Sequence, residues 1–163
     1  MAIMKKLLLT ITFALFSTNV FAQDWLKGWK AYQSSDYSSA LQEWLPLAKQ
    51  GEKYSQNNVG HMYETGKGVL QDYTEATKWY RLSARQGLSG AQQNLGNAYK
   101  NGKGLKKDKI LAHMWFNIAS ATGSEEARKS RNIIAINMTS EAIEKATAMA
   151  KECMKSDFKK CGD

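Results

Sequence analysis

The sequence predicts an all-α fold: a solenoid of stacked helix pairs, about eight helices in all. Three observations predict it. The first is a block that occurs twice at a step of 36 residues. One copy reads Val59-Gly60-His61-Met62-Tyr63-Glu64-Thr65-Gly66-Lys67-Gly68-Val69, followed by Asp72, Ala76, Trp79-Tyr80 and Gly87. The other reads Leu95-Gly96-Asn97-Ala98-Tyr99-Lys100-Asn101-Gly102-Lys103-Gly104-Leu105, followed by Asp108, Ala112, Trp115-Phe116 and Gly123. Self-similarity at such a period marks a stacked-repeat protein, commonly with two helices per unit. The second is helical apolar spacing from residue 24 onward, with no sustained strand-like alternation. The third is glycine at predicted helix stops: Gly51, Gly87 and Gly123. Glycine takes the left-handed C′ conformation without a Cβ penalty.

The elements follow in order. Lys5-Lys6, the apolar run Leu7 to Phe16 and the small-residue site Val20-Phe21-Ala22 read as a secretory signal peptide, residues 1–22, cleaved between Ala22 and Gln23. Its apolar run is shorter than the roughly 20 residues a spanning helix needs. No cysteine lies near Ala22 to accept a lipid. The repeat domain is expected over 23–155, in units of about 24–52, 53–88 and 89–124, with capping helices over 125–155 and a tail over 156–163. Asp24 to Ser34 is predicted helical, then Tyr37 to Gln50. Pro46, the one proline of the chain, should kink that second helix or mark its last turns. Asp36, Tyr37, Ala40, Ala48 and Gly51 stand 36 residues before Asp72, Tyr73, Ala76, Ala84 and Gly87. This first unit is therefore a shortened copy without the Gly-x-Gly loop.

Lys53–Thr65, Tyr73–Gln86, Gly90–Asn101 and Lys109–Thr122 are predicted next. Asp72 with Glu75 three residues on has capping-box spacing. Glu125–Asn137 begins a third copy and then diverges. Thr139 reads as the N-cap of a last helix from Ser140 to about Met154. Within each full copy, Val59 and Tyr63, or Leu95 and Tyr99, share one helix face. Gly60 and Gly96 lie between them, where the missing side chain lets the partner helix approach over Ala76 or Ala112. Trp79-Tyr80 and Trp115-Phe116 supply apolar area to the seams.

These residues resemble the Sel-1-like repeat, a relative of the tetratricopeptide repeat, over about residues 24–155. The resemblance implies a right-handed α-solenoid and a role as an adaptor that holds proteins together. It offers no catalytic residues. Some secreted relatives carry a disulfide in every repeat; this chain lacks those cysteines. In such folds the first helix of each pair lines a concave face. By phase, that places Trp25, Trp29 and Tyr32 of the first unit in the groove, with Asn57, His61 and Glu64 of the second and Gln93, Asn97 and Lys100 of the third. The rings are candidate anchors, and the amides and charges candidate partners for an extended peptide backbone.

Other chemistries fit poorly. Thr65-Gly66-Lys67-Gly68 lacks the spacing and the preceding strand of a phosphate loop; its glycines suit a left-handed turn. His61 and His113 have no Cys, Asp or Glu at ligand spacing, so no metal is expected. No Ser or Cys nucleophile has an evident base. The chain reads as a non-enzyme without a cofactor. Cys153 and Cys161, the two cysteines, read as a disulfide in an exported protein. Eight residues of unbroken helix would hold them about 12 Å apart, so the last helix must end near Ser156-Asp157 and the tail fold back.

The net charge is +8, and +6 after residues 1–22 are removed with their two lysines and no acid. Lys103, Lys106, Lys107 and Lys109 cluster, as do Lys155, Lys159 and Lys160. Nucleic acid is not expected in an exported chain that lacks an aromatic–basic motif. Anionic envelope polymers or an acidic protein fit better, and a plain solvated surface fits best. The expected function is a periplasmic or secreted interaction module that binds a protein or peptide segment in its groove, with no stable membrane insertion after cleavage. The alternatives are a structural subunit of an envelope complex that uses its convex or end surface, and an envelope hydrolase without an identifiable site. Partner identity and oligomeric state are not encoded in any motif.

Overall fold

A computed structural model describes residues 24–162. The expected signal segment, residues 1–22, and its Ala22–Gln23 junction lie outside the described residues. Among the described residues there are eight helices and no strand. Helix α1 covers 24–33. It is followed by α2 (Tyr37–Lys49), α3 (Lys53–Thr65), α4 (Tyr73–Ala84), α5 (Ser89–Asn101), α6 (Lys109–Ala121), α7 (Glu125–Ala135) and α8 (Ser140–Lys155). From α2 to α7 each helix packs on the next in sequence, as a stack of hairpins requires, and α8 packs on α6.

Local chemistry sets the ends. The carboxylates of Asp36, Asp72 and Asp108 accept the first free N–H groups of α2, α4 and α6. Thr139 caps α8 through the N–H of Ala142. Gly66 and Gly102 close α3 and α5 at φ of +71° and +72°, the left-handed stop that glycine favours. Pro46 sits in the last turn of α2; it leaves the Gln42 carbonyl without its intrahelical donor, yet the helix runs on to Lys49. Several expected helix ends move inward by one or two residues: α4 stops at Ala84, α6 at Ala121 and α7 at Ala135.

Each unit buries an aromatic of its second helix against a glycine of its first. A Cβ on Gly60 would stand 2.8 Å from Cδ1 of Tyr80, and one on Gly96 would stand 2.7 Å from Cδ1 of Phe116. In the first unit a Cβ on Gly28 would run into the Trp44 indole. Trp44, Tyr80 and Phe116 fall at successive steps of 36 residues and are 1%, 2% and 0% exposed. The ring, more than Ala76 or Ala112, is what the bare glycine receives; Ala76 contributes its carbonyl oxygen, 3.2 Å from the added carbon at Gly60.

The units are joined by polar contacts that also repeat. Buried Gln56 donates to the Ala48 carbonyl at 3.1 Å, and Gln92 donates to the Ala84 carbonyl at 3.2 Å. Each glutamine in turn accepts a bond from the end of its own helix pair, from Gln86 or from Thr122. The Gly-x-Gly loops clamp the preceding unit. A Cβ on Gly68 would stand 2.5 Å from the Tyr37 carbonyl oxygen, and one on Gly104 would collide with the backbone of Tyr73. The intervening lysines lie over those tyrosines: Lys67 Nζ is 4.9 Å from the Tyr37 ring centre, and Lys103 Nζ is 4.8 Å from that of Tyr73.

Helix α6 is the centre of the C-terminal half. Ala112, His113, Met114, Trp115, Phe116, Ile118 and Ala119 are all buried, because α5, α7 and α8 surround it. A helix apolar on every face belongs in such a place. Helix α8 presents Ala146, Ala150 and Cys153 to this core. Its end follows the geometry the cysteines demand: the helix stops at Lys155, Asp157 and Phe158 take positive φ, and Cys153 and Cys161 are bonded with their Cα atoms 4.4 Å apart. The returning tail lays Phe158 against Gly87.

Candidate functional site

The first helices of the three units, together with Trp44 of α2, place their side chains around a cleft of about 260 Å³ lined by Trp29, Tyr32, Trp44, Asn57, Asn58, His61 and Asn94. One wall is aromatic. Trp25, Trp29 and Tyr32 recur three or four residues apart on α1, so they share one face. Their rings stack in sequence, with centroids 6.0 Å and 6.3 Å apart and planes within 9° of parallel. Tyr32 also meets Trp44 at 5.6 Å and His61 at 6.4 Å. Its hydroxyl accepts from Lys67 Nζ at 3.1 Å, which ties the ring to the α3–α4 loop. Trp44 donates its indole N–H to the Trp25 carbonyl at 3.1 Å. The wall is thus held from behind, while Trp29 keeps 39% of its surface exposed.

The opposite side carries amides. Asn94 Nδ2 donates to Asn57 Oδ1 at 3.1 Å. That bond leaves the Asn57 amide N–H as an available donor type and the Asn94 carbonyl as an available acceptor type, the same pair a peptide unit presents. Burial holds the His61 imidazole below the usual histidine range, against the opposite pull of Glu64. At neutral pH the cleft lining therefore carries no formal charge.

The other expected groove residues are placed differently. Trp25 lies behind Trp29 and packs into the N-terminal core cluster. Glu64 accepts the Tyr80 hydroxyl at 2.7 Å; burial and this carboxylate push that hydroxyl far above the usual tyrosine range. Gln93 accepts from Ser124 at 2.7 Å, which ties α5 to the start of α7. Asn97 and Lys100 are half-buried on α5 and do not line the cleft. The structure therefore brings Trp29, Tyr32, Asn57 and His61 together and leaves Trp25, Glu64, Gln93, Asn97 and Lys100 outside that cleft. Three lining residues escaped the sequence reading: Trp44, Asn58 and Asn94. Trp44 had a signal, since it lies one 36-residue step before Tyr80; Asn58 and Asn94 are likewise one step apart.

Among the described residues no cluster of three or more His, Cys, Asp or Glu could hold a metal ion, and no helix is long and apolar enough to cross a membrane. His113 is buried with Nδ1 lacking a hydrogen-bond partner. Burial, reinforced by Arg131, holds its pKa down.

Comparisons with known proteins agree with this architecture. The Sel1 repeat model matches residues 53–88 and 89–124. No curated protein sequence matches the chain. Among solved structures, the chain is similar to a protective antigen present in uropathogenic Escherichia coli strains that displays an SLR fold, at 27% identity and a TM-score of 0.79 over 85% of this chain and 31% of the antigen. It is also similar to a Sel1 repeat protein from Oxalobacter formigenes, at 26% identity and a TM-score of 0.65 over 77% of this chain and 53% of that one. The chain thus spans about a third of the first relative and about half of the second. The chain thus contains two Sel1 repeats, residues 53–88 and 89–124, within an all-helical solenoid like that of these SLR-fold neighbours.

Proposed function

We propose that this chain is an extracytoplasmic interaction module that holds an extended segment of a partner protein along its first helices, with one uncharged side chain of that segment seated between Trp29, Tyr32 and Asn57. Sel1 repeats mediate protein–protein interaction in general, and the repeats here are two. The single observation that carries the finer reading is the cleft: an exposed ring, a braced aromatic wall and an amide pair that matches a peptide unit, with no formal charge. Rigid aromatic side chains with few torsions are effective anchors. The groove reading extends from this cleft toward Gln93, Asn97 and Lys100 on α5. Export rests on the residues 1–22 pattern and on the Cys153–Cys161 bond, which persists in oxidising compartments.

The test is selection of linear peptides displayed on phage against the immobilised chain, followed by calorimetric titration of the selected peptide. Trp29→Ala with Asn57→Ala should weaken binding at least tenfold, ~1.4 kcal/mol, with the helical circular-dichroism signal unchanged. Equal affinity for the folded double variant would move the binding surface off the cleft. Cleavage after Ala22 is checked by the intact mass of the protein from its producing cells. A second reading, a structural subunit docking through its end, is favoured by one observation: Ile133 and Ile136 at the C-terminal end of α7 stand 64% and 79% exposed.

A further inference from the structure

Units two and three share one backbone plan, so the positions at which they differ separate what the fold requires from what it leaves free. In the loops joining α3 to α4 and α5 to α6, the fold-bearing residues recur. Gly66 and Gly102, then Gly68 and Gly104, hold positive φ. Lys67 and Lys103 cover the preceding tyrosine. Asp72 and Asp108 cap the next helix. At four other positions in and beside the loop, unit three carries lysine: Glu64 is matched by Lys100, Leu70 by Lys106, Gln71 by Lys107 and Tyr73 by Lys109.

In unit two three of these positions, Glu64, Gln71 and Tyr73, form a closed polar set with Tyr80. Glu64 accepts the Tyr80 hydroxyl, and Gln71 donates to the Glu64 carbonyl and the Tyr73 hydroxyl. Unit three has no counterpart, because Phe116 lacks the hydroxyl and Lys100 replaces the acid. The result is five ammonium groups between residues 100 and 109 against one carboxylate. That carboxylate, Asp108, is engaged by the N–H groups of Ile110 and Leu111. Lys103, Lys106, Lys107 and Lys109 are exposed. None of the five forms an ion pair among the described residues. So many like charges within a Debye length repel one another, and the sister loop folds without them.

We propose that the edge formed by Lys100, Lys103, Lys106, Lys107 and Lys109 docks an acidic polypeptide segment of a partner protein. The cations are all ammonium groups. They read total negative charge on a flexible chain and lack the planar fork with which arginine selects one oxyanion geometry. The stretch also offers no exposed apolar side chain. Its sister loop has Leu70, 88% exposed, where this one has Lys106. A bilayer would find no apolar anchor here, which favours a polypeptide.

The experiment exchanges the loops: Lys106→Leu, Lys107→Gln and Lys109→Tyr install residues that the same loop already accommodates in unit two. The probe is a fluorescein-labelled decapeptide alternating Glu and Gly, read by polarisation in about 0.15 M salt. The wild-type chain should bind it, and the exchange variant should bind at least tenfold more weakly. A control variant, Lys155→Gln with Lys159→Gln and Lys160→Gln, removes the same charge elsewhere and should stay within twofold of wild type. If the exchange variant fails to fold, Lys106→Gln with Lys107→Gln should still weaken binding at least threefold. Equal losses in the exchange and control variants would reduce the effect to net charge and overturn the proposal. So would no binding by the wild type, or tighter binding to inorganic polyphosphate or to phosphatidylglycerol vesicles than to the peptide.

Discussion

A single methyl group on Gly96 measures how closely the two helices of a unit approach. Its carbon would stand 2.7 Å from both Cδ1 and Cε1 of Phe116, and Phe116 is 0% exposed. Carbon atoms rest about 3.5–4.0 Å apart, so the ring or the helix must yield by close to 1 Å in a packed interior. Overpacking of this kind costs about 1–3 kcal/mol. Alanine also returns about 0.5–1 kcal/mol of backbone freedom that glycine loses in a helix. Gly90 supplies the control, because it lies on the same helix and an added Cβ there meets nothing within 4 Å. The propensity gain largely cancels between the two variants. Gly96→Ala should therefore be less stable than Gly90→Ala by about 1–3 kcal/mol. Urea denaturation followed at 222 nm reads the difference directly. Phe116→Leu in the Gly96→Ala background should recover part of the loss, a coupling that distant sites do not show. A Gly96→Ala chain as stable as Gly90→Ala would refute the packing argument.

Three further outcomes follow from particular contacts. Tyr80→Phe removes a bond from a largely buried hydroxyl to Glu64 and should cost about 1–2 kcal/mol. Combined with Glu64→Lys, which copies unit three, it should cost less than the sum of the single changes in a double-mutant cycle. The depressed pKa of His61 and of His113 means the folded state binds fewer protons than the unfolded state just below pH 6.5. Stability from these two groups is complete above about pH 6.5 and is lost as pH falls below it; the melting midpoint should drop between pH 7 and 5, and a flat profile there would contradict the burial of both rings. Replacing Cys153 and Cys161 by serine opens a short loop worth roughly 2.5 kcal/mol in the chain-entropy model. Because Phe158 packs on Gly87, amide exchange should rise at the α4–α5 turn as well as in the tail, and exchange confined to the tail would show that Phe158 holds its place without the bond.

The architecture was legible because a solenoid spends the same residues in every unit. A glycine under a ring, an aspartate at a helix start and a glycine pair in a loop each solve one local problem, and each reappears after 36 residues. Gly28 was missed for a physical reason: the first connection is four residues shorter, so the glycine that receives Trp44 is out of step although Trp44 itself is in step. The last helix pair was less legible still. Its second helix packs on α6, and no repeat in the sequence announces that arrangement.

The cleft was half legible because helical phase reports the face of one helix, whereas the cleft is made where four meet. Phase on α1 and α3 found Trp29, Tyr32, Asn57 and His61. It could not show that Asn94 reaches back across the seam to Asn57 or that Trp44 closes the floor. Nor could it show that Glu64 and Gln93, correctly phased, are engaged by Tyr80 and Ser124. In a repeat protein the residues that recur are consumed by the stack. Information about partners must then lie where equivalent positions differ: His61 against Asn97, Glu64 against Lys100, Leu70 against Lys106. Those differences have no role in holding one unit to the next, since each version folds into the same hairpin. Of these, the exposed loop positions Leu70 and Lys106 are the ones at which substitution should change binding and leave the melting midpoint nearly unmoved, whereas Glu64, which accepts the Tyr80 hydroxyl, and Gly60, Gly96, Gln56 and Gln92 should move the midpoint.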